Sequence, residues 1–112
     1  MDKTTITKEL NTFISRAKAQ LPVKRIILYG SFAKNSGRDD SDIDLLVLGD
    51  FKKNQINDPT LALYETYCDL NSKHQLHVIG LNVDDYENKK DSITLASIRN
   101  TGKTIFLAQN RI

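Results

Sequence analysis

The chain has 112 residues, enough for one compact domain and too few for two ordinary ones, so residues 1–112 are read as a single unit. With 39% hydrophobic and 27% charged residues and no run of about 18 apolar residues, an ordinary globular domain without a membrane helix is expected. The 16 basic residues are interspersed among 14 acidic ones for a formal charge of +2, which leaves no stripe for non-specific nucleic-acid binding.

The first predicted element is a helix, because Ile6, Leu10, Phe13, Ile14, Ala17 and Leu21 recur at spacings of three and four and line one face. Thr4 or Thr5 is expected to cap it, and Pro22 to end it. Val23 to Tyr29 then reads as a short buried strand that stops at Gly30, with one or two helical turns expected over Ser31 to Asn35. Loop chemistry follows from Ser36 to Ser41, and a second strand from Asp42 to Leu48.

Gly49 to Pro59 is a polar, turn-forming stretch, in which Lys52-Lys53 reads as a solvated helix end or loop. Leu61 to Leu70 reads as a helix with two apolar series, Leu61, Tyr64, Cys68 and Leu63, Tyr67. A third strand is expected over Gln75 to Gly80, a helix over Asp84 to Arg99 and a last strand over Lys103 to Leu107. Helices and strands that alternate with short connections predict an α/β domain (α+β in some schemes), a small mixed sheet packed by helices. Cys68, the lone cysteine, has no internal disulfide partner, and Met1-Asp2-Lys3-Thr4-Thr5 lacks the apolar stretch of an export signal; both fit a cytoplasmic protein.

The chemistry is concentrated between Tyr29 and Leu45. A strand that ends in Gly30-Ser31 and opens a helix leaves backbone N–H groups free to receive phosphate oxygens. Gly30 permits close approach of the backbone, the Ser31 hydroxyl donates to a phosphate, and Lys34 and Arg38 lie within reach along the chain. Asp42 and Asp44, two apart on a strand, leave the same face, while Ile43, Leu45 and Val47 leave the other. Two carboxylates so close repel unless a cation neutralises them. Hard oxygen donors, with no Cys/His cluster for zinc, favour Mg2+, with Mn2+ as a substitute. Taken singly, a Gly-Ser turn is a common helix cap and an Asp-x-Asp a common solvated strand edge; their conjunction in strand, turn, helix, loop, strand order points to a site.

That conjunction resembles the minimal nucleotidyltransferases of the DNA polymerase β superfamily, whose signature is Gly-Ser followed, after a spacer, by Asp-x-Asp. Gly30, Ser31, Asp42 and Asp44 match it, as does the wording Ser41-Asp42-Ile43-Asp44-Leu45. The close is similar too: a helix carrying Ile98, then Gly102 and the apolar strand Thr104-Ile105-Phe106-Leu107. The resemblance spans nearly the whole chain and implies transfer of a nucleoside monophosphate from a nucleoside triphosphate to an acceptor, with Asp42 and Asp44 on metal. It also implies a protein partner, since minimal members are often paired with a small helical protein in toxin–antitoxin pairs.

Two positions depart from the family pattern. Phe32 stands where many members carry a basic residue, leaving Lys34 as the nearest phosphate contact. In the third strand, Leu76-His77-Val78-Ile79 places His77 where a third acid is expected. His77 is therefore a candidate general base or an inert strand residue, and Asp69, Asp84 and Asp85 are alternative acids. The expected enzyme has two rivals, a domain of the same fold that binds nucleotide or a partner without turnover and a remnant with no ligand. The acceptor is left open among a protein hydroxyl, an RNA end and a small molecule. Asn100-Thr101-Gly102-Lys103-Thr104 is not a P-loop, because it leads from a helix into a strand.

Overall fold

A computed structural model describes residues 3–30, 43–69, 75–88, 98 and 102–108, with side chains from residue 8 onward. Helix α1 (Lys3–Gln20) presents its apolar stripe as expected, with Phe13 and Ala17 fully buried and Leu10, Ile14 and Leu21 packed beside them. The helix is already formed at Lys3, so Thr4 and Thr5 lie inside its first turn and do not cap it. Strand β1 (Val23–Tyr29) follows Pro22 and ends at Gly30.

Strand β2 (Ile43–Gly49) has apolar residues on both faces because a layer packs on each side. Ile43, Leu45 and Val47 join Phe13, Ile26, Phe51 and Leu63 in one core; Leu46 and Leu48 join Ile27, Tyr86 and Ile98 in the other. Full burial of one such aliphatic or aromatic side chain contributes about 1.5–3 kcal/mol. The polar stretch after β2 conceals an anchor. Phe51 is fully buried and turns into a short 3-10 helix, Lys52–Asn54, whose first N–H is accepted by the buried Asn82 side chain at 3.1 Å.

Helix α2 (Pro59–Tyr67) starts two residues before the expected Leu61, and local chemistry explains the start. The Asp58 carboxylate accepts from Leu61 N at 3.0 Å, and Pro59 occupies the first turn, where its missing N–H costs nothing. Asp58→Ala is expected to lower stability by about 1 kcal/mol, read as a shift of the urea midpoint at unchanged m-value. Of the two apolar series on this helix, the one with Leu63 faces the core, and Tyr67 meets Phe13 edge-to-face at 5.5 Å. Leu61, Tyr64 and Cys68 face outward.

Strand β3 (Leu76–Asn82) runs two residues further than expected, helix α3 is described over Val83–Asn88, and strand β4 spans Lys103–Leu107 as read from the sequence. Of the longer helix expected to Arg99, Ile98 is helical and residues 89–97 and 99 lie outside the described residues. Gly102 N donates to Ile98 O at 2.7 Å, the helix-terminating role expected of it. Among the described residues no helix is long and apolar enough to cross a membrane.

The four strands form one mixed sheet in the order β3-β2-β1-β4. Strand β1 is antiparallel to β2 and β4, whereas β2 and β3 are parallel. This arrangement brings the C-terminal end of β1 and the N-terminal ends of β2 and β3 to one end of the sheet. Edge strand β3 is held from outside by α2, where Thr60 Oγ1 accepts from Gly80 N at 3.0 Å.

Candidate functional site

Three residues form a row across that end of the sheet. Tyr29 on β1 is the register partner of Asp44 on β2, and Asp44 that of His77 on β3. Strand alternation puts Asp44 on the face that carries Leu46 and Leu48. His77 shares that face, since its neighbours Leu76 and Val78 are buried in the opposite core. Directly opposed residues on one face have side chains that meet, and His77 Nδ1 lies 3.6 Å from Asp44 Oδ1. That separation is long for a hydrogen bond and within ion-pair distance. The Asp44 side chain is 29% exposed and the His77 side chain 51%, so both are reachable from solvent.

The strand-ending glycine makes room for the carboxylate. Gly30 has φ +78°, in the left-handed region, and a Cβ placed there would fall 2.4 Å from Asp44 Oδ2. Asp44 therefore rests against the turn that leads into Ser31. Tyr29 completes the row and was not singled out from the sequence, although its place just before Gly30 on a two-residue repeat was the available signal. Burial, and behind it the Asp44 charge, raise the Tyr29 phenol above its ordinary pKa.

Of the remaining predicted site residues, Ser31, Lys34, Arg38 and Asp42 lie outside the described residues. The alternative acids are placed elsewhere. Asp69 is bound by Arg16 at 2.6 Å, and Asp85 by Lys52 at 3.0 Å on helix α3, which begins with Val83 and Asp84 beyond the far end of β3. A cleft of about 420 Å3, lined by Lys24, Asp50, Tyr86 and Leu107, also lies toward that far end, beside Leu48.

The amino-acid sequence matches the family described as polymerase beta, nucleotidyltransferase, over residues 11–111. The chain belongs to this nucleotidyltransferase family. Solved structures share its fold. A toxin–antitoxin complex crystallised with AMP-PNP is similar with a TM-score of 0.53 at 17% identity, covering 88% of this chain and 73% of the other. A variant of the MntA–HpeT toxin–antitoxin gives 0.52 at 19%, covering 89% and 73%. A protein from Sulfolobus solfataricus proposed to be a nucleotidyltransferase gives 0.53 at 14%, covering 96% and 90%. At these identities the likeness is one of fold. No curated protein sequence matches the chain.

Nucleotidyltransferase folds generally use divalent metal ions. Asp44 offers a partly exposed hard oxygen donor, seated in the space that the missing Gly30 side chain leaves. No group of three or more His, Cys, Asp or Glu side chains able to hold a metal occurs among the described residues. A single carboxylate such as that of Asp44 is the kind of donor that Mg2+ sites combine with substrate phosphate oxygens.

Proposed function

We propose that this domain is a metal-dependent nucleotidyltransferase that moves a nucleoside monophosphate from a nucleoside triphosphate to a hydroxyl-bearing acceptor. The observation that carries the reading is the seat of the Asp44 carboxylate against the left-handed Gly30 turn. On this reading Asp44 is a metal-binding acid and the Gly30 turn the start of a phosphate site, and their contact supports assigning both to one site. On this reading the triphosphate lies on the backbone N–H groups after Gly30, with the Ser31 hydroxyl donating and Lys34 and Arg38 adding positive charge. Asp42 and Asp44 hold the cation. Mg2+, when bound there, offsets the triphosphate charge and favours ionisation of the attacking hydroxyl. As the new bond from the α-phosphorus to the acceptor oxygen forms, the bond to pyrophosphate breaks.

The acceptor is a hydroxyl on a protein, an RNA end or a small molecule. A small helical protein partner is part of the reading, supported by the two similar structures that are toxin–antitoxin complexes. On this reading residues 1–112 are one domain, which the single sheet between the two cores of the described residues supports. A cytoplasmic setting supplies the triphosphate and suits the exposed free thiol of Cys68.

The test is calorimetric titration with ATP, GTP or CTP in the presence and absence of Mg2+, together with pyrophosphate release. Metal-dependent binding with release is expected, and both should be lost in the double variant Asp42→Ala/Asp44→Ala. Binding that survives the double variant would sink the proposed site. A second reading is favoured by His77, which stands beside Asp44 without the oxygens of a third acid: the domain binds nucleotide and does not turn it over. That reading requires wild-type binding without release, and release that emerges in His77→Asp.

A further inference from the structure

The geometry points to His77 as a nitrogen ligand of the nucleotide-site metal, which shifts the site's preference from Mg2+ toward ions that accept imidazole, Mn2+ foremost. The inference rests on the proposed metal–nucleotide site and adds the identity of its ion. It begins from the register. His77 is the direct cross-strand partner of Asp44 on the same face, and the parallel β2–β3 ladder fixes the two at one level. His77 Nδ1 and Asp44 Oδ1 are 3.6 Å apart. Donors that each stand about 2.0–2.2 Å from an ion are separated by at most about 4.4 Å, so both atoms can reach one ion.

Donor chemistry then selects the ion. Mg2+ dehydrates reluctantly, holds to near-octahedral oxygen coordination and gains little from an imidazole. First-row transition ions bind imidazole well, and Mn2+ also accepts the carboxylate and phosphate oxygens that Asp44 and a triphosphate supply. Nδ1 faces the Asp44 carboxylate across a gap that one ion can bridge. The other ring nitrogen, Nε2, is then left to donate, which fixes the tautomer. His77 and Asp44 are both partly exposed, so an ion can enter without opening either core.

The experiment uses the full chain with histidine 15N-labelled, Mn2+ and the non-reacting analogue α,β-methylene-ATP. Pulsed electron paramagnetic resonance reads whether a labelled nitrogen is bound to Mn2+, and competition with Mg2+ reads the preference. A 15N coupling is expected in the wild type and not in His77→Gln, and the Mn2+ to Mg2+ affinity ratio should fall at least tenfold in His77→Asp. His77→Gln changes a half-exposed side chain, and circular dichroism confirms that it folds. Mn2+ bound with no 15N coupling, or with coupling that persists in His77→Gln, overturns the inference. In that outcome, loss of Mn2+ binding in Asp44→Asn leaves the nucleotide-site reading standing. Binding of neither ion with the nucleotide by wild type overturns both.

Discussion

Asp44→Asn is expected to reduce pyrophosphate release about a thousandfold while leaving thermal stability nearly unchanged. Asparagine matches the shape of aspartate but carries no charge, so it keeps the packing against the Gly30 turn and loses the ionic ligand. Metal stabilisation of a transition state is worth several kcal/mol, and about 4 kcal/mol corresponds to a factor of about a thousand in rate. The stability cost is small because Asp44 is partly exposed and its ionic contact is with a half-exposed histidine, a class of pair worth less than about 1 kcal/mol. A spectroscopic signature accompanies the loss. With the negative charge removed, the Tyr29 phenol should titrate at lower pH than in the wild type, because the Asp44 charge is one of the two causes that raise it. Activity within tenfold of wild type would remove Asp44 from the site.

Gly30→Ala is expected to impair both folding and function, by two separable causes. An alanine at φ +78° adopts a left-handed conformation that costs L-residues about 1–2 kcal/mol. For a domain of this size that is a fall in melting temperature of about 5 °C or more. Its Cβ would also fall 2.4 Å from Asp44 Oδ2, so the carboxylate must swing away from the turn. Misplacement of a catalytic group by about 1 Å costs about a hundredfold in rate, and that loss should appear in kcat at temperatures where the variant is fully folded. The measurement is a melting curve paired with pyrophosphate release well below the midpoint. Wild-type turnover in a destabilised variant would show that the strain is real and that the position of the carboxylate is not critical.

Much of the architecture was legible wherever one local signal dominated. β1 and β4 are short apolar runs bounded by Pro22, Gly30 and Gly102, and they occupy the positions read from the sequence. β2 was legible as a central strand because apolar residues leave both of its faces. The start of α2 was misplaced because apolar periodicity begins at Leu61, whereas Asp58 and Pro59 set the first turn within a polar stretch. Phe51 was hidden for the same reason: a single anchor leaves no periodic trace. In the site, Gly30, Asp44 and His77 were identified by motif and position. Their mutual geometry required the strand pairing, since neither the parallel sense of β2 and β3 nor their register can be deduced from either strand alone.

That parallel pairing also determines when the site can exist during folding. Antiparallel β1 and β2 are near neighbours in sequence and can meet early. β3 must instead return past α2 to lie parallel to β2, a crossover whose entropy is lost before its contacts form. His77 reaches Asp44 only at the end of that crossover, which makes their contact a late event in folding. A nascent chain is thus expected to bring Asp44 to the Gly30 turn before His77 arrives, and an incompletely folded molecule to hold only part of the Tyr29–Asp44–His77 row.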